Sequence, residues 1–136
     1  MFIRMVSRLE LVLKELNENG NFRASLFSTS TGLVLASQKV EDVDDRVVAA
    51  MSSLLSDAAY KASEEMNLSL LSSLKIKYLE DYIVCRNIIM PDQKTQFILA
   101  VLSKNPESYE NESYYDRLLD WAVDNATPDL EKLSSI

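Results

Sequence analysis

Carboxylates are the groups this chain supplies most freely for chemistry, and their spacing argues against a catalytic use. The sequence holds 21 Asp and Glu, and Asp44-Asp45, Glu64-Glu65 and Glu80-Asp81 are the neighbouring pairs that could act as acid and base. Adjacent residues on a helix diverge by about 100°, so such pairs do not converge on one substrate and read instead as caps and solvated faces. Histidine is absent, which removes triads, dyads, imidazole ligands and the usual general base near neutral pH. The one cysteine, Cys85, lies in the apolar run Tyr82 to Ile89, where a thiol acts as a small hydrophobe, and Arg86 is its only cationic neighbour in sequence. A zinc site would rest on carboxylates alone. Two glycines, Gly20 and Gly32, cannot write a phosphate-cradling GxxxxGK[ST] loop or a GxGxxG turn. The expectation is no catalytic group, no cofactor and no metal.

The elements that would position any site come next. At 136 residues the chain fits one domain that buries roughly two-thirds of its unfolded surface. Its 14 Lys and Arg leave a net charge of −7, which repels phosphate backbones and anionic membranes, so nucleic acid is not an expected partner. Arg4, Arg8, Glu10 and Lys14 interrupt the opening MFIRMVSRLELVLKEL, so no signal-peptide core forms there. No run reaches the ~20 apolar residues a bilayer span takes. A lone cysteine forms no intramolecular disulfide and suits a reducing compartment. A cytoplasmic protein without direct membrane insertion is expected.

Phe2, Met5, Val6, Leu9, Val12, Leu13 and Leu16 recur at helical steps, and Asn19-Gly20 ends that helix. Phe22 to Ser28 and Leu33 to Ser37 read as a hairpin turning at Thr29-Ser30-Thr31-Gly32. Asp44 then caps a long helix from Asp45 to about Met66. One stripe of it, Val47, Val48, Met51, Leu54, Leu55, Ala58, Ala62 and Met66, is apolar and suits a sheet. Beside it, Ala49, Ser52, Ser56, Ala59 and Ser63 form a ridge of small residues only, which predicts a face for another helix to approach closely. On that reading Ser56→Glu weakens association.

Three further strands follow. Leu74, Ile76 and Tyr78 alternate with Lys75 and Lys77, Tyr82 to Ile89 comes next, and Thr95 to Leu102 lies past the Pro91-Asp92-Gln93 turn. The last contains an uninterrupted apolar run from Phe97 to Leu102, which predicts a central strand covered on both faces. Tyr115, Leu118, Leu119, Ala122 and Ala126 mark a final helix, with Thr127-Pro128 as its expected stop and 127–136 as a tail or short last turn. Tyr109, Tyr114 and Tyr115 sit among acidic neighbours, so they read as packing rather than a base-stacking surface.

Particular segments resemble the roadblock (dynein light chain roadblock) family. FRASLFSTSTGLVLAS is similar to its opening hairpin, VDDRVVAAMSSLLSDAAYKASEEMNL to its Ala- and Ser-rich long helix, and LKIKYLEDYIVCRNI with TQFILAVL to its remaining strands. The resemblance runs over about residues 3–126 and is distributed along the chain. It implies one α/β (α+β) domain over 1–126, of order α-β-β-α-β-β-β-α. In it a five-stranded antiparallel sheet carries the long middle helix on one face and the terminal helices on the other.

The same resemblance implies a dimer with another roadblock-type chain or a second copy. By position, its helix contribution falls on Ala49, Ser52, Ser56, Ala59 and Ser63. Its strand contribution falls on Leu74, Lys75, Ile76, Lys77 and Tyr78. Paired about Ile76, Lys75 would oppose Lys77 of the other chain, at a cost of several tenths of a kcal/mol, and edge lysines are also a guard against pairing. The implied function is a non-enzymatic adaptor or regulator of a small Ras-like GTPase. Direct stimulation of hydrolysis through Arg46 or Arg86, a dynein light-chain-type cargo adaptor and a small-molecule sensor with a chamber between sheet and helix are the alternatives.

Overall fold

The computed structural model describes residues 2–40 and 42–135; Met1, Glu41 and Ile136, the end of the expected tail, lie outside the described residues. Helix α1, Phe2–Gly20, buries Met5, Leu9, Leu13 and Leu16 along one stripe, the face their spacing predicts. The helix gives way at Asn21, left-handed at φ 53°, and Gly20 before it makes room for Phe22: a Cβ there would sit 2.3 Å from the Phe22 ring, which folds back beneath the helix end and is buried.

Strands β1 (Ala24–Thr29) and β2 (Val34–Lys39) form the hairpin. Gly32 turns it at φ 94°, a conformation that disfavours residues with a Cβ. The long helix α2, Asp45–Met66, follows. Then come β3 (Ser73–Lys77), β4 (Asp81–Ile89) and β5 (Gln96–Lys104). The five strands make one antiparallel sheet in the order β2-β1-β5-β4-β3. Strand β5 is third of five and buries an unbroken run from Phe97 to Val101, as a strand covered on both faces requires.

Two cores flank this sheet. On one face Leu9, Leu13 and Leu16 of α1 meet Phe27, Tyr82, Leu99 and the residues Leu119, Ala122 and Leu130 of the last helix. On the other, a smaller cluster joins Ala49 of α2 to Leu26, Cys85, Ile98 and Ala100. Among the described residues no helix is long and apolar enough to cross a membrane.

The last helix corrects an expectation. Ser108 caps α3, which runs Tyr109–Ser134 straight through Pro128, so neither the stop at Thr127-Pro128 nor a loose tail occurs. A proline inside a helix costs about 3 kcal/mol, and here what lies beyond it offsets that. Leu130 is fully buried, worth roughly 1.5–3 kcal/mol. Asp129 is buried as well and accepts from Arg8 of α1, Nε at 2.9 Å and Nη2 at 2.6 Å. Thr127 meanwhile donates its hydroxyl to the Val123 carbonyl at 2.7 Å. Leu130→Ala is therefore expected to lower stability by about 2–5 kcal/mol, read as an earlier urea midpoint at unchanged slope. A residue in a loose tail would move neither.

Candidate interaction surface

Helix α2 begins where Asp44 Oδ1 accepts from the backbone N–H of Arg46 at 3.1 Å and of Val47 at 3.4 Å, satisfying donors a helix start leaves open. It ends at Asn67 in the left-handed region, φ 56°. Between these caps its two candidate stripes lie opposite to expectation. Ala49 and Ser52 of the small-residue ridge are 0% and 2% exposed, and Ser56, Ala59 and Ser63 are half-buried on the same side. The N-terminal part of the ridge therefore lies on the sheet of its own chain, while Ser56, Ala59 and Ser63 stay partly accessible. Small side chains on α2 leave room for Leu26 and Ile98 rising from the sheet; close approach is what the ridge permits, and the sheet is what approaches. Ser56 is half-buried and borders a cleft open to solvent, so Ser56→Glu acts at the rim of the helix rather than in the core beneath it.

Most of the apolar stripe faces outward instead, although Val48 packs inward against the cluster under α2. Val47, Met51, Leu54 and Met66 are 50–67% exposed, Ala58 and Ala62 are exposed and Leu55 is half-buried. Positions 47, 51, 54, 55, 58 and 62 form an uncharged run along this flank that Glu65 ends at the last turn, while Asp57 and Lys61 pair at 3.2 Å beside it. Isolated exposed hydrophobes need no explanation, but a continuous stripe on a helix of about 33 Å marks a contact surface.

At the sheet edge, β3 has only β4 as a neighbour. The Asn87 N–H donates to the Ser72 carbonyl at 2.8 Å and the Tyr78 N–H to the Asp81 carbonyl at 2.9 Å. Alternate residues of an antiparallel strand bond the same neighbour, so Ser73, Lys75 and Lys77 turn their backbone groups to the open edge. Leu74 and Ile76 are half-buried, and exposed Leu68, Leu70, Tyr78 and Leu79 flank the strand at its two ends. Tyr78, expected in the strand, lies one residue past it.

Lys75 and Lys77 turn back onto α3 at this edge. Lys75 Nζ lies 2.9 Å from Asp116 and 3.7 Å from Glu112 of α3, and Lys77 Nζ lies 3.4 Å from Glu112. The Tyr82 hydroxyl donates to Glu112 at 3.1 Å. That hydroxyl above all, and Lys77 after it, hold the Glu112 carboxyl below the ordinary carboxylate range against the opposing effect of desolvation. Burial, then the Glu112 carboxylate, pushes the Tyr82 phenol up.

The remaining candidate groups have structural roles. Asp45 accepts from the Ser37 hydroxyl at 2.7 Å, and Asp81 pairs with Arg23 at 2.7 Å. Burial raises the Cys85 thiol, with a Ser52 hydrogen bond opposing, so the reactive thiolate is disfavoured. Arg86 is tied to Asp120 with only 16% of its side chain exposed, whereas Arg46 is 87% exposed. Among the described residues no three Cys, Asp or Glu gather as a metal site would need. Between α2 and the sheet, the void beside Ser25, Leu26, Val48 and Ala100 is about 10 Å³. That holds one water and gives a small-molecule sensor no chamber. A cleft of about 310 Å³ beside Ser56, Tyr60, Leu70 and Asn87 is open to solvent rather than enclosed.

No protein-family model matches the chain. An uncharacterized protein of Methanocaldococcus jannaschii is 38% identical over 71 residues, 52% of this chain and 60% of that protein. The match thus spans less than two-thirds of the relative. Among solved structures, Myxococcus xanthus MglB superposes with a TM-score of 0.78 at 15% identity, covering 94% of this chain and 91% of that one. The gliding protein MglB of Thermus thermophilus gives 0.77 at 11%, over 94% and 92%. A Roadblock/LC7 domain from Streptomyces avermitilis gives 0.76 at 14%, over 90% and 97%. The chain has the roadblock fold.

Within the roadblock fold, the exposed α2 stripe and the β3 edge lie without a partner among the described residues, and β2 forms the opposite edge of the sheet. Sequence reasoning took Ala49 and Ser52, which are buried inside the chain, as part of a partner face, and placed Leu74 to Tyr78 where the sheet edge lies. It also missed Leu68, Leu70 and Leu79. Neither flank of α2 carries charge between positions 47 and 63, so charge gave no signal to separate them.

Proposed function

We propose that the protein is a non-enzymatic roadblock-type adaptor that dimerises through the α2 stripe and the β3 edge and offers the resulting two-chain surface to a small Ras-like GTPase. The observation carrying the reading is the uncharged stripe Val47, Met51, Leu54, Leu55, Ala58 and Ala62 lying exposed on a capped, well-formed helix. Leaving it wet costs what burying it would return, roughly 25 cal/mol per Å², and a standard interface covers about 1,600 Å². The open edge of β3 adds backbone hydrogen bonds to the same contact. MglB, whose fold this chain shares, occurs in a tetrameric arrangement, which supports association between roadblock chains. The GTPase half rests on the roadblock fold and on the resemblance of the hairpin, long helix and strands to that family.

The test is twofold. Light scattering at micromolar concentration is expected to return twice the chain mass; a monomer removes the basis of the reading. Single-turnover hydrolysis by the small GTPases of the source organism, each preloaded with GTP, is then compared with and without the protein. Binding at an unchanged rate is the expected outcome. The exposure of Arg46 favours one alternative: acceleration abolished by Arg46→Ala makes the protein a direct stimulator of hydrolysis through that side chain.

A further inference from the structure

Two copies of β3 meet lysine to lysine in either natural register. A two-fold pairing keeps like faces together, so it opposes residues of the same parity. Full overlap of Ser73–Lys77 centres on Lys75 and sets it against its own copy, with Ser73 against Lys77; a shift to Ile76 sets Lys75 against Lys77. Residues directly opposed across bonded antiparallel strands have Cα atoms about 5.5 Å apart. The ammonium groups need counter-charge, and an acidic partner chain is one source of it.

The structure supplies another. Each β3 carries two lysines, and each α3 presents Glu112 and Asp116 within 4 Å of them. A seam of two copies is therefore neutral before any partner contributes charge. Tyr82 fixes Glu112 in place with its hydroxyl, and its ring lies 5.9 Å from the Lys77 ammonium. Both lysines are thereby drawn to the α3 side of the sheet, away from the apolar α2 side where Leu74 and Ile76 emerge.

We infer that the occupant of this surface is a second copy of the same chain, and that Glu112 and Asp116, lying behind the seam on α3, act as its built-in counter-ions. This rests on the dimer reading above and adds the identity of the partner and the residues that permit it. The outer chain needs no acidic strand, because neutralisation is complete within each copy. An acidic β3 brought from another protein would meet lysines already paired and would gain little.

The experiment compares the full-length wild-type chain, Glu112→Gln/Asp116→Asn, and that double variant with Lys75→Gln added. Dissociation constants come from analytical ultracentrifugation at 20 mM and 500 mM NaCl, and circular dichroism melts confirm each fold. Gln and Asn keep acceptors for Tyr82 and the lysines, so folding is retained. The expected result is at least tenfold weaker dimerisation of the double variant at low salt, with the loss shrinking at high salt where the screening length falls to a few ångströms. Lys75→Gln is expected to restore the wild-type constant. A folded double variant that dimerises like wild type at low salt overturns the counter-ion role. A wild-type chain that remains monomeric throughout instead removes the dimer reading itself, so the two failures are distinguishable.

Discussion

Leu54→Asp is expected to yield a monomer that is as well folded as the wild-type chain. Leu54 is 63% exposed, so the substitution disturbs little inside one copy and lowers the surface hydrophobicity of α2. In a two-fold contact it acts twice, once from each helix. Losing two buried leucines and confronting two carboxylates with an apolar seam costs about 4 kcal/mol or more. That corresponds to roughly a thousandfold in Kd. Sedimentation is expected to show one chain mass at concentrations where wild type shows two, with melting curves that coincide once both proteins are diluted to monomer. A Leu54→Asp protein that still dimerises at wild-type strength excludes α2 from the interface.

Ser52→Glu is expected to do the reverse, destroying the fold rather than the association. Ser52 is 2% exposed, its hydroxyl donating to the Val48 carbonyl at 2.7 Å, and Cys85 lies against it under the helix. A glutamate there places a carboxylate in an apolar seam with no cation, at a cost of several kcal/mol. Domains have only about 5–15 kcal/mol to lose. The measurable result is an insoluble protein or a melt shifted down by tens of degrees. Ser52→Ala keeps the volume and is expected within about 1 kcal/mol of wild type. The two substitutions, two residues apart on one helix, report which side of α2 faces the sheet: reversed outcomes would restore the small-residue ridge as the partner face.

Charge around β3 is decided far from β3. Lys75 and Lys77 alternate with Leu74 and Ile76, and from β3 alone they look like a defended edge. Glu112 and Asp116, which meet them, lie 35 to 41 residues further along the chain. A strand pattern therefore reports only that the lysines share a face, and the neighbour on that face decides whether they repel a partner or are already neutralised. The same applies to Pro128, whose cost is local and whose compensation, through Leu130 and the Arg8 to Asp129 pair, comes from α1 at the far end of the chain.

Short-range rules carried much of the reading. The Asp44 cap, the span of α2, the Gly32 turn, the end of α1 at Gly20 and the central place of β5 follow from side-chain periods, capping chemistry and backbone freedom, all of which act within a few residues. Element order and the assignment of helices to opposite sheet faces followed from these and from the roadblock resemblance. What the tertiary structure alone decided was orientation. Helix α2 has two neighbouring faces, one small and one apolar, and either can pack: small residues permit close approach to a helix or a sheet, and apolar residues bury against either. The choice falls to the sheet beneath, where Leu26 and Ile98 pack against Ala49 and Val48 and Ser52 is buried beside them. That choice pushes Val47, Met51 and Leu54 into solvent, and so it is the packing of a chain against itself that determines which surface is left for another.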